Sequence, residues 1–228
     1  MQDDLRSQEA TPRAAAKREL IVEAAMRHFA ENGYQGARIE DIAADLGIAK
    51  GSIFQHFGSK AGLFLAAYRK AVTSLPAWLD APSTVRAEGF WATFLYWLER
   101  TEHLIRDDFI PYRVALIGNY GTDLKLKRDI NRFLVSEDPY GTLEFVEFGV
   151  KRDEVRDDID VEMTASMIDW LAERFQDALV TDELDPGLFH RHPNQPQRRQ
   201  LGIEQFVELL RRAIGTEGSH PPRGRRRP

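Results

Sequence analysis

The stretch "AKGSIFQHFGSK", residues 49–60, sets Lys50, Ser52, Gln55, His56 and Lys60 around two phenylalanines, Phe54 and Phe57. Lysine and histidine donate to phosphate oxygens, a serine hydroxyl bonds either a phosphate or a base edge, and a glutamine carboxamide pairs bidentately with adenine. Gly51 leaves the first turn bare, so backbone N–H groups there can approach a phosphate closely. Ile53 and Phe57 fall on the opposite side of a helix and are expected to anchor it to a core. The chemistry of the segment is that of a duplex reader. Other reactive combinations are thin. The chain has no cysteine, which removes thiolate metal sites and Cys nucleophiles. His190 and His192 in "HRH" lie in a proline-containing connection with no helical partner, and read as loop residues rather than ligands. A di-iron helical bundle needs Glu-x-x-His on two helices, whereas Glu217 and His220 supply it once. Neither a catalytic residue, a metal site nor a cofactor is expected.

A helix can present such a face only if its neighbours hold it. Thr11 and Pro12 suit the N-cap and first position of a helix over 12–32 that lines up Leu20, Ile21, Ala24, Ala25 and Phe29 and ends at Gly33. Ile39, Ile42, Ala43 and Leu46 recur at i, i+3, i+4 and i+7, and Gly47 permits a tight turn. A helix over 50–57 follows, stopped by Gly58, and Ser59 caps the next. Phe29, Ile42, Leu46, Ile53 and Phe57 are expected in the core. Two short helices about a glycine turn are the layout of a helix-turn-helix, whose second helix enters a major groove.

From Lys17 to Leu65 the chain resembles the TetR family of transcriptional regulators. The likeness runs without gaps through "ELIVEAAMRHFAENGYQGARIEDIAADLGIAKGSIFQHFGSKAGLFLAA". The resemblance implies that Arg38 begins the second helix near backbone phosphates and that Lys50, Gly51 and Ser52 open the recognition helix. It further implies that Phe54, Gln55 and His56 face DNA and that Lys60 reaches a phosphate from the start of the fourth helix. Two departures matter. Phe54 stands where a tyrosine is common, so a phenol bond to phosphate is lost, and Ala49 replaces a frequent Ser or Thr, which weakens the helix cap.

The remainder of the 228 residues is also helical in pattern, and no alternation demands a sheet, so the expected fold class is all-α. "DAPST" at 80–84 reads as a loop. An aromatic helix reaches about residue 105, and further helices are expected near 108–118, 123–136 and 139–149. Two stronger ones carry Val161, Ala165, Ile168, Leu171, Phe175 and Leu179, then Leu201, Phe206, Leu209, Leu210 and Ile214, with Asp158 or Asp160 capping the former. The expected organisation is a three-helix DNA-binding domain at 12–60, a larger helical-bundle domain for ligand binding and dimerisation at 61–216, and a disordered basic tail at 217–228. Large rings at helical spacing usually build core, yet family regulatory domains enclose an apolar cavity between such helices. Trp91, Phe94, Trp97, Tyr112, Phe133 and Trp170 are the candidates to share one, for an effector of apolar or aromatic character. Ile168, Leu171, Phe175, Phe206 and Leu210 are the candidates for a homodimer interface between copies of the last two helices.

A net charge of −5 speaks against indiscriminate coating of nucleic acid but leaves room for a small basic face. Acidic groups gather in the second half, as in "RDEVRDDIDVE". The opening carries no apolar leader and no run is long enough to span a bilayer, so a cytoplasmic protein without a membrane partner is expected. The function that collects these readings is a homodimeric repressor that binds a palindromic double-stranded operator and answers to a ligand, and is not an enzyme. A helical protein-interaction adaptor and a helical-bundle enzyme without DNA binding are the alternatives.

Overall fold

The computed structural model describes residues 12–75, 77, 80–107, 109–187, 189 and 197–217. They form α1 (Pro12–Gly36), α2 (Ile39–Asp45), α3 (Lys50–Phe57), α4 (Lys60–Thr73), α5 (Ser83–Glu88), α6 (Phe90–Asp107), α7 (Phe109–Tyr120), α8 (Leu124–Glu137), α9 (Thr142–Lys151), α10 (Val161–Val180) and α11 (Gln197–Ile214). A 3-10 turn spans Asp182–Leu184. The fold is all-α: among the described residues the only β pairing is an isolated bridge between Val155 and Gly215. The expected helices are present. The short α5 falls inside and beyond the stretch read as loop; six residues with no buried member leave no apolar period to read.

The chain packs as two compact units. The first takes Met1–Ser74 and Asp108–Glu137, the second Leu75–Asp107 and Asp138–Pro228. These limits differ from the functional division expected at residue 60, because α4 cannot be separated from α1. Leu63, Phe64, Ala67, Tyr68, Ala71 and Val72 of α4 are all buried. The Phe64 ring meets Phe29 of α1 edge-on at 4.9 Å and Tyr34 at 5.1 Å. Removing a ring as enclosed as Phe29 costs about 3–5 kcal/mol. The chain then returns to this unit after an excursion, since α7 packs on α1 and α4, and α8 on α4 and α7. Gly118 of α7 makes that approach possible: a Cβ there would lie 2.5 Å from the Tyr68 ring. Tyr68 Oη donates to Asn119 Oδ1 at 2.7 Å, so the phenol of a buried ring is satisfied.

Helix α1 runs four residues past the expected end at 32. Gly33 breaks its geometry with φ 68° and ψ 172°, and a final turn follows the kink. The second unit is built on aromatic side chains. Phe90 stacks on Phe145 at 4.2 Å, and Phe175 lies parallel to Phe206 at 4.2 Å. Glu154, within the acidic segment, is held by hydrogen bonds. Its carboxylate accepts from Phe90 N at 2.8 Å at the start of α6 and from Arg152 Nε at 2.7 Å, and its carbonyl accepts from Trp91 Nε1 at 3.3 Å. Asp160, not Asp158, caps α10 by accepting from Met163 N at 2.8 Å, while Asp158 pairs with Arg156. The end of α11 is tied to the same loop by Arg156 N donating to Ile214 O at 2.9 Å.

Candidate nucleic-acid interface

Helices α2 and α3 owe their mutual setting to a few apolar anchors and two left-handed glycines. Ile39, Ile42 and Ala43 are buried on α2, and Ile53 on α3 is 1% exposed. Gly47 at φ 62° and Gly58 at φ 70° end the two helices in a conformation that a residue with a Cβ adopts only under strain. His28 of α1 reaches Asp45 at the end of α2 at 2.6 Å and pins the pair to the long helix. Helix α3 starts from Ala49 without a side-chain cap, as its residue type requires, with Ser52 N donating to Ala49 O at 2.9 Å.

The expected DNA-facing residues are wholly or partly uncovered. Gly51, Phe54 and Gln55 are exposed, Ser52 and His56 half-buried, and Arg38 exposed at the N-cap of α2. No protein atom comes within 4 Å of a Cβ built at Gly51, so nothing in the fold itself requires glycine there. A polar, uncovered helix face of this kind has donors, acceptors and one apolar ring at 37% exposure, Phe54. Among the described residues no group of three His, Cys, Asp or Glu side chains is placed to hold a metal.

The two lysines are less independent than their types suggest. Lys50 Nζ donates to Glu40 Oε1 at 2.5 Å and sits 5.4 Å from the Phe54 ring centroid. The hydrogen bond from Lys50 is the first cause that holds the Glu40 carboxyl below its ordinary pKa. Lys60 Nζ donates to Gln35 O at 3.1 Å, where it meets the last turn of α1, and lies 5.1 Å from the Tyr34 ring. Burial pushes the Lys60 ammonium below its ordinary pKa. Lys60 thus ties α4 to the end of α1, a positional task that sequence reasoning did not find.

Phe57 corrects the expected core. It is half-buried, with the Arg18 guanidinium 5.1 Å over its ring, so the first turns of α1 stand beside the end of α3. Leu46 is likewise half-buried. Arg18 and Glu40 were missed as neighbours of the site because their partners lie 39 and 10 residues away, beyond any helical period.

The aromatic candidates do not assemble as expected. Trp91, Phe94 and Trp97 are buried in the core of the second unit, whereas Tyr112 and Phe133 are buried in the first. Trp170 is 65% exposed, because it lies on the outer side of α10, and so lines no interior of that unit. The dimer candidates need correction too. Ile168 and Leu210 are buried within their own unit, and Phe175 and Phe206 are half-buried and stacked on each other. Only Leu171 is exposed. The uncovered apolar groups are its neighbours Met163, Met167 and Trp170 on α10, and Leu201 and Leu209 on α11. His190, His192 and residues 218–228 lie outside the described residues.

Comparison with known proteins bears on the same region. Residues 21–67 match the family described as bacterial regulatory proteins, tetR family. The chain is similar to the HTH-type transcriptional repressor AcnR of Corynebacterium diphtheriae, at 27% identity over 74% of this chain and 86% of the relative. It is 34% identical to AcnR of Corynebacterium efficiens over 46% of this chain and 52% of that protein. The crystal structure of the transcriptional regulator FadR from Bacillus subtilis in complex with stearoyl-CoA superposes with a TM-score of 0.61 at 18% identity. That match covers 84% of this chain and 96% of the other, and shows a common fold.

Proposed function

We infer that this chain, a member of the TetR family of bacterial transcriptional regulators, is a homodimeric repressor that reads an inverted-repeat operator with α3 and is controlled by a small apolar or aromatic effector. The reading is carried by one observation: α3 is anchored through Ile53 and leaves Gly51, Phe54 and Gln55 exposed, with Ser52 and His56 half-exposed beside them. In the major groove Gln55 would address a base edge, the Phe54 ring would meet a thymine methyl, and Lys50, Ser52 and the bare first turn would hold phosphates. Arg38, Lys60 and His56 would add phosphate contacts at the edges. Charge favours the same assignment. Residues 12–74 and 109–137 hold 14 basic and 9 acidic side chains, a net of +5 in a chain of net −5.

Dimerisation through the uncovered stripes of α10 and α11 would set two copies of α3 about 34 Å apart, one turn of B-DNA. The stripe Met163, Met167, Trp170 and Leu171 has the i, i+4, i+7, i+8 spacing of a single helix face, and an apolar face of that length is suited to a second copy of itself. The effector would enter the second unit, where Phe90, Trp91, Phe94 and Trp97 line one helix. Gln176 Nε2 is buried there without a hydrogen-bond partner, a cost of about 1–3 kcal/mol that a polar group on the effector would relieve. A coupling of about 1–3 kcal/mol between effector and operator is sufficient for control.

Selection from randomised duplexes tests the reading. Enrichment of an inverted repeat whose half-site preference changes at one position in Gln55→Ala supports it. Failure to enrich any duplex at low and moderate salt overturns it in favour of a protein-interaction adaptor.

A further inference from the structure

A second basic surface stands beside the first, on a helix far from it in sequence. Helix α8 opens "LKLKRD", and Lys125, Lys127 and Arg128 make no ion pair or side-chain hydrogen bond, whereas Arg132 further along is paired with Asp129 at 2.9 Å. Lys125 and Arg128 are exposed and Lys127 half-exposed. The acid at this end, Asp123, is turned to the helix: its Oδ1 accepts from Lys125 N and Leu126 N, both at 3.0 Å. Lys125 and Arg128, three residues apart, therefore share one exposed face beside the capped N-terminus, and Lys127 stands to the other side of the buried Leu126.

Their place in the unit follows from the contacts of α8 with α4. The Phe133 ring meets Tyr68 at 6.2 Å, the Arg69 guanidinium lies 4.6 Å over Phe133, and Glu137 pairs with Arg69. Lys125 precedes Phe133 by eight residues and Lys60 precedes Tyr68 by eight, so at 1.5 Å per residue both stand about 12 Å back along their helices. A second sign agrees. After burial, the charge of Asp123 is what raises the pKa of Tyr34, the ring over which Lys60 sits. The opening of α8 is thus level with the start of α4, at the end of the unit that carries α3.

We propose that Lys125, Lys127 and Arg128 at the start of α8 form an accessory phosphate-binding surface for duplex DNA flanking the sequence read by α3. The proposal rests on α3 being the reading helix. Flanking phosphates carry no base information, so this surface adds affinity and salt dependence without altering sequence preference.

The test compares the full-length wild type, a Lys125→Ala/Arg128→Ala variant and an Arg132→Ala control on a selected duplex. The duplex is used with about 10 base pairs of flank and again trimmed to the site, across a salt series. Each lost phosphate contact should reduce the steepness of log K against log salt by about 0.9. The double variant is expected to bind the long duplex roughly tenfold more weakly, with a shallower salt slope. It should match the wild type on the trimmed duplex and keep its base preference, while Arg132→Ala should behave as the wild type. A Lys125→Glu/Arg128→Glu variant should weaken binding further on the long duplex alone. Equal binding and equal slope of wild type and both double variants on the long duplex, with the effect of Gln55→Ala intact, overturn the proposal and leave the reading of α3 standing. Absence of binding by the wild type itself defeats both.

Discussion

Helices α3 and α10 both bury one face and leave the other uncovered, and the uncovered faces are opposites. That of α3 is made of Gly51, Gln55, part of Ser52 and His56, with one ring, Phe54. That of α10 is Met163, Met167, Trp170 and Leu171. A polar face is at ease in water and needs a partner only for function; a long apolar face in water is a partner's imprint. The difference teaches that, on the proposed reading, the same amphipathic helix would serve two kinds of recognition, and that what it leaves outside, not what it buries, would tell them apart.

The comparison breaks most visibly at α10. Met167→Glu with Trp170→Glu is expected to give a monomer by sedimentation, with operator affinity lowered about 100-fold or more because two half-sites are no longer engaged together. A stable dimer of full affinity would place the interface elsewhere. Since both side chains are largely exposed, the protomer should keep its helicity and unfold near the wild-type temperature. At α3 the effect is smaller and confined. Gln55→Ala should cost about 1–3 kcal/mol at one base position, read by binding to single-base operator variants, with little change elsewhere.

Lys60→Ala sharpens the comparison, because this side chain belongs to the site and to its frame. It should weaken binding to all duplexes about tenfold or less and lower the unfolding temperature slightly, through loss of the bond to Gln35 O. The smallest effect is expected in the frame alone. Lys70 joins α4 to α1 through Glu19 and, at 2.8 Å, Glu23. The bond from Lys70 is the first cause that holds the Glu23 carboxyl below its ordinary pKa. The stability it adds is therefore present above the ordinary carboxylate value and is lost as pH falls through the lower folded-state value. Lys70→Met should cost less than about 1 kcal/mol near neutrality, and should flatten that acid limb in thermal melts.

The first four helices were legible because each is punctuated locally: Gly33, Gly47 and Gly58 at positive φ, Ser59 accepting from Gly62 N at 3.0 Å, and Ile53 as the buried member of α3. Such signals act within a few residues. What was not legible depends on residues far apart. Periodicity finds the apolar side of α10 but not which of its members the protomer itself covers, so Ile168, a core residue, was expected at an interface, while Met167 and Trp170, one residue before it and two after, are the ones left exposed. Nor can any local pattern say that Phe133 packs on Tyr68 of α4, or that Tyr112 is buried in the first unit while Trp91 belongs to the second. That follows from the return of α7 and α8 to the first unit, made possible by Gly118 meeting the Tyr68 ring. Lys60 was legible as a residue but not in its attachment, because Gln35 O is brought to it only by the kinked end of α1.

The absence of cysteine allows the most direct test. His56→Cys gives a chain with a single thiol on α3, to which an iron chelate that cleaves DNA by hydroxyl radicals can be attached. On a selected operator, cleavage is predicted in two symmetric clusters about one helical turn apart, each centred on the major groove. Diffuse cleavage along the duplex, or one cluster without its symmetric mate, would contradict the placement of α3 in successive grooves.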